Sequence, residues 1–146
     1  MSDPSKITHL IVHCAYTPIS MDIGVKEIDR WHKEKGWLGI GYHAVIRRDG
    51  TVEDGRPLEK TGAHVKNMNT VSKGITLIGG MSADKKHPEI NYTDEQWVSL
   101  RTKLTEWLVL FPNAKIAGHT DFDKGKTCPN FDANLWWETG EIVPTF

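Results

Sequence analysis

The strongest structural signal in the sequence is an amphipathic helix over residues 93–111. Thr93 and Gln96 match a capping box, in which Thr93 caps the first turn and Gln96 reaches back to it. Apolar residues then recur three or four positions apart until Pro112, which predicts one buried helix face. That face consists of Trp97, Leu100, Leu104, Trp107, Leu108 and Phe111. The helix needs other elements to cover it, so we expect a layered fold.

Short apolar runs predict the strands of a sheet. Residues 7–13 are apolar without clean alternation, which is typical of a central strand covered on both faces. Asp49 and Gly50 form a hairpin turn signal between predicted strands at residues 42–48 and 51–53. Further strands are predicted at residues 72–80 and 115–117, and further helices at residues 25–35 and after Asp132. The sequence therefore predicts an α/β fold with one mixed central sheet of about five strands, flanked by helices.

Length and charge exclude several classes of protein. A chain of 146 residues predicts one domain, residues 1–146, large enough to bury a core. The net charge of -1 gives no electrostatic reason to expect nucleic acid or an anionic membrane as the main partner. Residues 1–6 lack the basic and apolar stretches of a signal peptide, so we expect synthesis in the cytoplasm. The apolar runs are too short to cross a bilayer.

Three residues are candidate metal ligands. His119 and Cys128 lie in one polar loop after an apolar run, and His13 ends the first predicted strand. Two histidines and a cysteine with an open position for water are typical of a catalytic zinc site at the end of the sheet. The alternative is a pair of surface histidines and a buried free thiol. Side chains alternate along a strand, so Cys14 should point away from His13 and act as a small buried apolar residue.

The remaining histidines receive other interpretations. His32 stands among charged residues of a predicted helix and is expected to be solvated. His43 should face away from Tyr42 and be structural. His9 shares a strand face with His13 but lies deeper in the sheet, which favours a core or supporting role.

Several stretches, taken together in their order and spacing, resemble one family. They are residues 11–14, 24–28, 31–34, 36–37, 41–43, 48–53 and 128–132. This set is similar to phage-type N-acetylmuramoyl-L-alanine amidases, the zinc amidase family that also includes the peptidoglycan recognition proteins. The match is strongest to the short phage endolysins, and it covers residues 6–138.

The resemblance implies a mixed α/β fold, one zinc ion held by His13, His119 and Cys128, and catalytic roles for Tyr42 and Lys126. In that mechanism a zinc-bound water attacks the amide, Lys126 stabilises the oxyanion, and Tyr42 orients the water or relays a proton. Tyr42 could act as a base only if its pKa were depressed.

Other parts of the resemblance concern the cleft. His64 matches a stretch that lines the cleft in relatives, which implies substrate contact. Two features depart from the family pattern: Ala15-Tyr16 replaces the small residues common after the first ligand, where Tyr16 could alter the groove wall, and the loop from His119 to Cys128 is slightly longer.

The implied function is hydrolysis of the amide bond between N-acetylmuramic acid and L-alanine in bacterial peptidoglycan, causing host lysis. The enzyme is expected to be a monomer, made in the host cytoplasm and released to the wall by a separate holin-like pore. Some amidases of this kind also bind and inhibit their phage's RNA polymerase, which makes that a possible second partner. The alternative is a non-catalytic peptidoglycan-binding module, against which Cys128, Tyr42 and Lys126 all argue. No recognisable carboxylate pair favours a glycosidase.

Overall fold

Five strands form one mixed sheet in the computed structural model, which describes residues 3–146. In chain order they are β1 (His9–Cys14), β2 (Ala44–Ile46), β3 (Val52–Asp54), β4 (Ser72–Leu77) and β5 (Lys115–Gly118). Their spatial order is β3-β2-β4-β1-β5, with β1 between β4 and β5. All neighbouring pairs are parallel except β2 and β3, which are antiparallel. The predicted α/β fold with a mixed five-stranded sheet is confirmed.

The predicted hairpin joins β2 to β3. Its turn contains Gly50 at φ +89°, a left-handed conformation that glycine adopts without a steric penalty. The second strand is shorter than the predicted residues 42–48, so Tyr42 lies just before β2. The carbonyl of Tyr42 accepts a hydrogen bond from the backbone N–H of Arg56 at 2.8 Å, which ties it to the next loop.

Three helices cover the sheet: α1 (Val25–Glu34), α2 (Asp94–Leu110) and α3 (Ala133–Thr139). The capping box of α2 is confirmed, because Thr93 Oγ1 accepts from Gln96 N at 3.1 Å and Gln96 Oε1 accepts from Thr93 N at 3.0 Å. Asp132 caps α3 by accepting from Leu135 N at 3.0 Å. Short 3₁₀ segments span Pro4–Lys6, Asn69–Val71 and His119–Asp121. Within residues 3–146, no helix is both long and apolar enough to cross a membrane.

The two faces of the sheet carry different side chains. The larger core lies between the sheet and helices α2 and α3, and includes Leu10, Val12, Ile75, Leu77, Leu100, Leu104, Trp107 and Phe131. Cys14 belongs to this core, as predicted. A smaller cluster packs α1 on the opposite face and consists of Ile23, Ile28, Ile40, Val45 and Ile78. Because strand residues alternate, His13 faces the side of α1.

His32 is a correction to the sequence analysis. Its side chain is buried on the inner side of α1, not solvated. Nδ1 of His32 accepts a hydrogen bond from the backbone N–H of Gly41 at 2.9 Å, and its ring packs against that of Trp37 at a tilt of 60°, with centroids 4.5 Å apart. The charged neighbours in the sequence point to solvent, while position 32 lies on the helix stripe that faces the sheet.

Candidate active site

His13, His119 and Cys128 converge at one edge of the sheet. His13 is in β1, His119 directly follows β5, and the parallel register pairs Val12 with Gly118, so the two histidines lie side by side. Their ring centroids are 4.7 Å apart. One candidate ligand atom from each of the three residues lies within 4.8 Å of the other two. Within residues 3–146, this is the cluster of histidine, cysteine and acidic side chains that could hold a metal ion.

The donor atoms of the cluster fit a metal ion. His13 is buried, and its Nδ1 has no hydrogen-bond partner, although buried polar atoms normally have one. A buried imidazole nitrogen left free beside a second histidine and a thiol suits a zinc ligand. Burial raises the pKa of the Cys128 thiol well above its usual value, so a cation would be needed to hold it as a thiolate. The backbone N–H of Cys14 points at Cys128 Sγ from 2.8 Å.

A cleft of about 400 Å³ opens beside the cluster. It is lined by Cys14, Tyr16, Tyr42, Pro88, His119, Gly125, Lys126, Thr127 and Cys128. Tyr16, which departs from the family pattern, therefore forms part of the cleft wall, and 40% of its surface is exposed. The cleft brings the predicted catalytic residues and two of the three predicted ligands to one surface.

Tyr42 lies against the cluster formed by His13, His119 and Cys128. Its ring centroid is 4.9 Å from that of His13. Burial raises the pKa of the Tyr42 hydroxyl well above its usual value, and the neighbouring Cys128 and Cys14 raise it further. The hydroxyl is therefore protonated at neutral pH, which favours a hydrogen-bond donor over a base.

Lys126 is exposed and lines the same cleft. A turn orders its backbone: Lys126 N–H donates to the carbonyl of Asp123 at 3.0 Å, and Asp123 N–H donates to that of His119 at 3.2 Å. Thr120 N–H donates to the Cys128 carbonyl at 2.9 Å, closing the loop between the candidate ligands His119 and Cys128. The longer loop thus keeps Lys126 at the cleft. Burial lowers the pKa of His119, and the positive charge of Lys126 contributes to the shift.

The other predicted histidines have different surroundings. His64 lies beside His13, with 2.8 Å between its Nδ1 and Nε2 of His13, and burial lowers the pKa of His64 to about 3. His43 is buried and structural, as predicted: its Nδ1 accepts from Gly74 N–H and its Nε2 donates to the Lys60 carbonyl. His9 is half-buried, hydrogen-bonded to Thr8, and is not part of the cluster.

Sequence reasoning missed the C-terminal segment that supports Cys128. Thr145 N–H donates to the carbonyl of Asn130 at 3.1 Å, and the Thr145 hydroxyl donates to that of Thr127. Asp132 N–H donates to the carbonyl of Val143 at 2.8 Å. Residues 127–132, which include Cys128, are therefore held by the last residues of the chain. No motif in residues 142–146 indicated this, because two of the three contacts are backbone hydrogen bonds and the third is made by a single hydroxyl, that of Thr145.

Comparison with known proteins identifies the family of this fold and site. The solved structure of the N-acetylmuramoyl-L-alanine amidase LysC from Clostridium intestinale superposes with a TM-score of 0.74 at 28% identity, covering 93% of this chain and 84% of that one. The fold and the cluster thus define an amidase. Residues 3–131 match the family model described as N-acetylmuramoyl-L-alanine amidase, and the chain belongs to that family.

Two phage proteins are closely similar to the chain in sequence. The endolysin of Klebsiella phage KP32 is 48% identical over 136 residues, covering 93% of this chain and 89% of that protein. The endolysin of Escherichia phage T7 is 44% identical over 134 residues, covering 92% of this chain and 87% of that protein. The resemblance inferred from the sequence motifs is confirmed.

Proposed function

We propose that the protein is a zinc-dependent endolysin that hydrolyses the amide bond between the lactyl group of N-acetylmuramic acid and L-alanine in bacterial peptidoglycan. The observation that carries the proposal is the convergence of His13, His119 and Cys128 within 4.8 Å beside a cleft that also contains Tyr42 and Lys126. Membership of the amidase family and the two similar phage endolysins support the same substrate.

The three convergent residues would hold the zinc. When bound, zinc lowers the pKa of a coordinated water to about 7 and polarises a carbonyl as a Lewis acid. Three protein ligands leave a coordination position free, as such chemistry requires. The N–H of Cys14 stabilises negative charge on the Cys128 sulfur, 2.8 Å away, and so supports the thiolate.

Lys126 supplies the positive charge at the reacting carbonyl. Amide hydrolysis passes through a tetrahedral oxyanion, and a donor aimed at that oxygen contributes about 3–4 kcal/mol. Lys126 lines the cleft, and no salt bridge with an acidic side chain was found for it among residues 3–146. Its ammonium group is therefore available to substrate.

Tyr42 acts as a donor. Because burial raises its pKa, the phenol keeps its proton at neutral pH and can hydrogen-bond the attacking oxygen or the substrate carbonyl. Of the roles that the resemblance leaves open, orientation and proton relay are favoured over general base.

The product of digestion tests the proposal. Peptidoglycan treated with the protein should release stem peptides with a free L-alanine amine and leave the glycan strands uncut, as measured by mass spectrometry. Metal analysis of the same sample should give one zinc per chain. New reducing ends without new amino termini would contradict the amidase assignment, and binding without any cleavage would favour a recognition module.

The biological setting stays a prediction. Release through a holin-like pore, action as a monomer and inhibition of a phage RNA polymerase rest on the resemblance alone. Pull-down with the polymerase of the same phage would test the last of these.

A further inference from the structure

A chain of hydrogen bonds runs from His13 away from the cleft. Nε2 of His13 is 2.8 Å from Nδ1 of His64, and Nε2 of His64 is 3.3 Å from Oγ of Ser72. Ser72 Oγ is in turn 2.6 Å from the carbonyl oxygen of Met68. His64 and Ser72 are not among the residues that line the cleft. This series of hydrogen bonds therefore lies behind the three candidate ligands, on the side away from the cleft.

The direction of each hydrogen bond follows from its far end. A carbonyl oxygen only accepts, so the Ser72 hydroxyl donates its one proton to Met68. Ser72 Oγ can then only accept from His64, which places the proton of the neutral His64 ring on Nε2. Nδ1 of His64 is left as an acceptor, and the bond to His13 is donated by His13 Nε2–H. A neutral His13 consequently has no proton on Nδ1.

We propose that His64 is a positioning residue that fixes the tautomer and ring orientation of His13, so that Nδ1 of His13 is presented to the metal. The inference rests on the proposed zinc site. Its independent support is that His13 Nδ1 is buried and has no partner, as a nitrogen reserved for a metal would be. Substrate contact by His64, which the resemblance implies, stays a separate prediction.

The backbone of His64 is held in place from its own loop. Oδ1 of Asn69 accepts from the N–H groups of His64 and Val65 at 2.9 and 3.0 Å. The 3₁₀ segment Asn69–Val71 then leads directly into β4, which begins with Ser72. One continuous segment, the loop and the first residue of β4, therefore provides His64 together with the Met68 and Ser72 groups that orient it.

Gly74 provides the surface on which the imidazole of His64 lies. A Cβ at position 74 would be 2.6, 2.7 and 2.9 Å from Nδ1, Cγ and Cε1 of His64, closer than real Cβ atoms come. These three atoms of His64 are the nearest ones it would meet. Gly74 does not have a positive φ, so the backbone alone does not require glycine there. A side chain at 74 would displace His64 first.

The tautomer is measurable in the unaltered protein. In metal-free protein with isotope-labelled histidine, NMR of the imidazole nitrogens should show His13 protonated on Nε2 alone. In the zinc-loaded protein, Nδ1 should show the shift of a metal-bound nitrogen while Nε2 keeps its proton. A proton on Nδ1 in the metal-free state, or zinc bound through Nε2, would overturn the proposal.

Two substitutions at position 64 distinguish the role of the hydrogen-bond acceptor from that of the space filled by the side chain. His64→Leu removes the acceptor, and loss of such a supporting hydrogen bond weakens metal binding about 10–100-fold. His64→Asn offers an oxygen near the position of Nδ1 and should restore much of the affinity and the Nε2–H tautomer of His13. Zinc affinity by competition with a chelator measures both. Equal affinity in the wild type and His64→Leu would overturn the proposal, as would equal loss in the Leu and Asn variants.

Gly74→Ala tests the same contact without changing any polar group. It should weaken zinc binding in the wild-type background by displacing His64. In a His64→Ala background the same change should have little further effect, because the clashing ring is gone. Additive effects would mean that Gly74 acts independently of His64 and would overturn this part of the argument.

Failure of the inference can be told apart from failure of the proposed function. If the wild-type protein bound no zinc or cleaved no amide, the function would be wrong. If wild-type zinc binding and cleavage are normal but His13 shows the other tautomer, only the positioning role of His64 fails.

Discussion

The two faces of the central sheet use the same strands for different purposes. On the face covered by α2 and α3, the residues are apolar and closely packed, with Leu100 and Leu104 fully buried. On the α1 side of the same strands lie polar residues: His13, Ser72 and Thr76, the last with a buried hydroxyl that has no partner. Adjacent residues of one strand therefore serve stability and chemistry separately, since a shift of one position exchanges the faces.

The largest effect is expected at the cluster of candidate ligands, from Cys128→Ser. A hydroxyl is a far poorer zinc ligand than a thiolate, so zinc occupancy and amidase activity should both be lost. Metal analysis of the purified variant measures this. Cys14→Ser is the matched control and should keep its zinc, because Cys14 lines the same cleft but is not one of the three clustered candidate ligands. Full zinc occupancy in the Cys128→Ser variant would show that Cys128 is not a zinc ligand.

Tyr42→Phe keeps the ring and removes only the hydroxyl. Loss of a group that takes part in proton transfer lowers kcat by about 10²–10⁴-fold, and zinc content should be unchanged. Tyr16→Phe removes a hydroxyl from the wall of the same cleft and should have little effect on kcat. Turnover of a soluble muropeptide compares the two variants. A similar loss of kcat in both variants would mean that removing any hydroxyl from the cleft wall has this effect and that Tyr42 has no special role.

Lys126→Ala should lower kcat by about 10²–10³-fold with a small change in KM, because the role proposed for its charge is to stabilise the oxyanion. Zinc content should stay at the wild-type level. Lys124→Ala, in the same loop but outside the cleft lining, is the control and should retain activity. A rise in KM at constant kcat would mean that Lys126 binds substrate without stabilising the transition state.

Substitutions on the face of the sheet covered by α2 and α3 should change the stability of the protein without changing its zinc affinity. Leu104→Ala in α2 should lower the free energy of unfolding by about 2–5 kcal/mol, because it leaves a cavity in the larger core. Zinc affinity should be unaffected at temperatures where the variant is folded. Val109→Ala, at a position that is 79% exposed, should be close to neutral. Denaturant unfolding with parallel metal analysis would reveal any coupling between the faces.

The smallest effect concerns acid stability through His32. Burial lowers the pKa of His32 to about 4 from its ordinary value of 6.5. The unfolded chain then binds a proton at this histidine at a higher pH than the native chain does. The contribution of the neutral, buried His32 to stability is therefore fully present above pH 6.5 and is lost as the pH falls toward 4. Melting temperatures between these limits should fall less steeply in His32→Gln than in the wild type. An identical profile would mean that His32 does not contribute.

Local patterns predicted what depends on neighbours in sequence. The capping box of Thr93 and Gln96, the hairpin at Gly50 and the cap at Asp132 all follow from short-range chemistry. His13 could be grouped with His119 and Cys128 in advance because it ends a predicted strand and the three residue types suit zinc. The contact of His64 with His13 could not, since it depends on a partner from a different loop that shows no periodic pattern. The burial of His32 follows from its place one turn after Ile28 on the buried stripe of α1, a signal that its charged neighbours obscured.

The hydrogen bonds between Thr145 and the segment that carries Cys128 have a practical consequence for engineering. A fusion partner attached after Phe146 would begin one residue from Thr145, whose bonds hold the carbonyls of Thr127 and Asn130. Tension on that end would disturb the loop that carries Cys128, a proposed zinc ligand. Attachment before Asp3 leaves these contacts untouched, so a purification tag or an added wall-binding module belongs at the amino-terminal end.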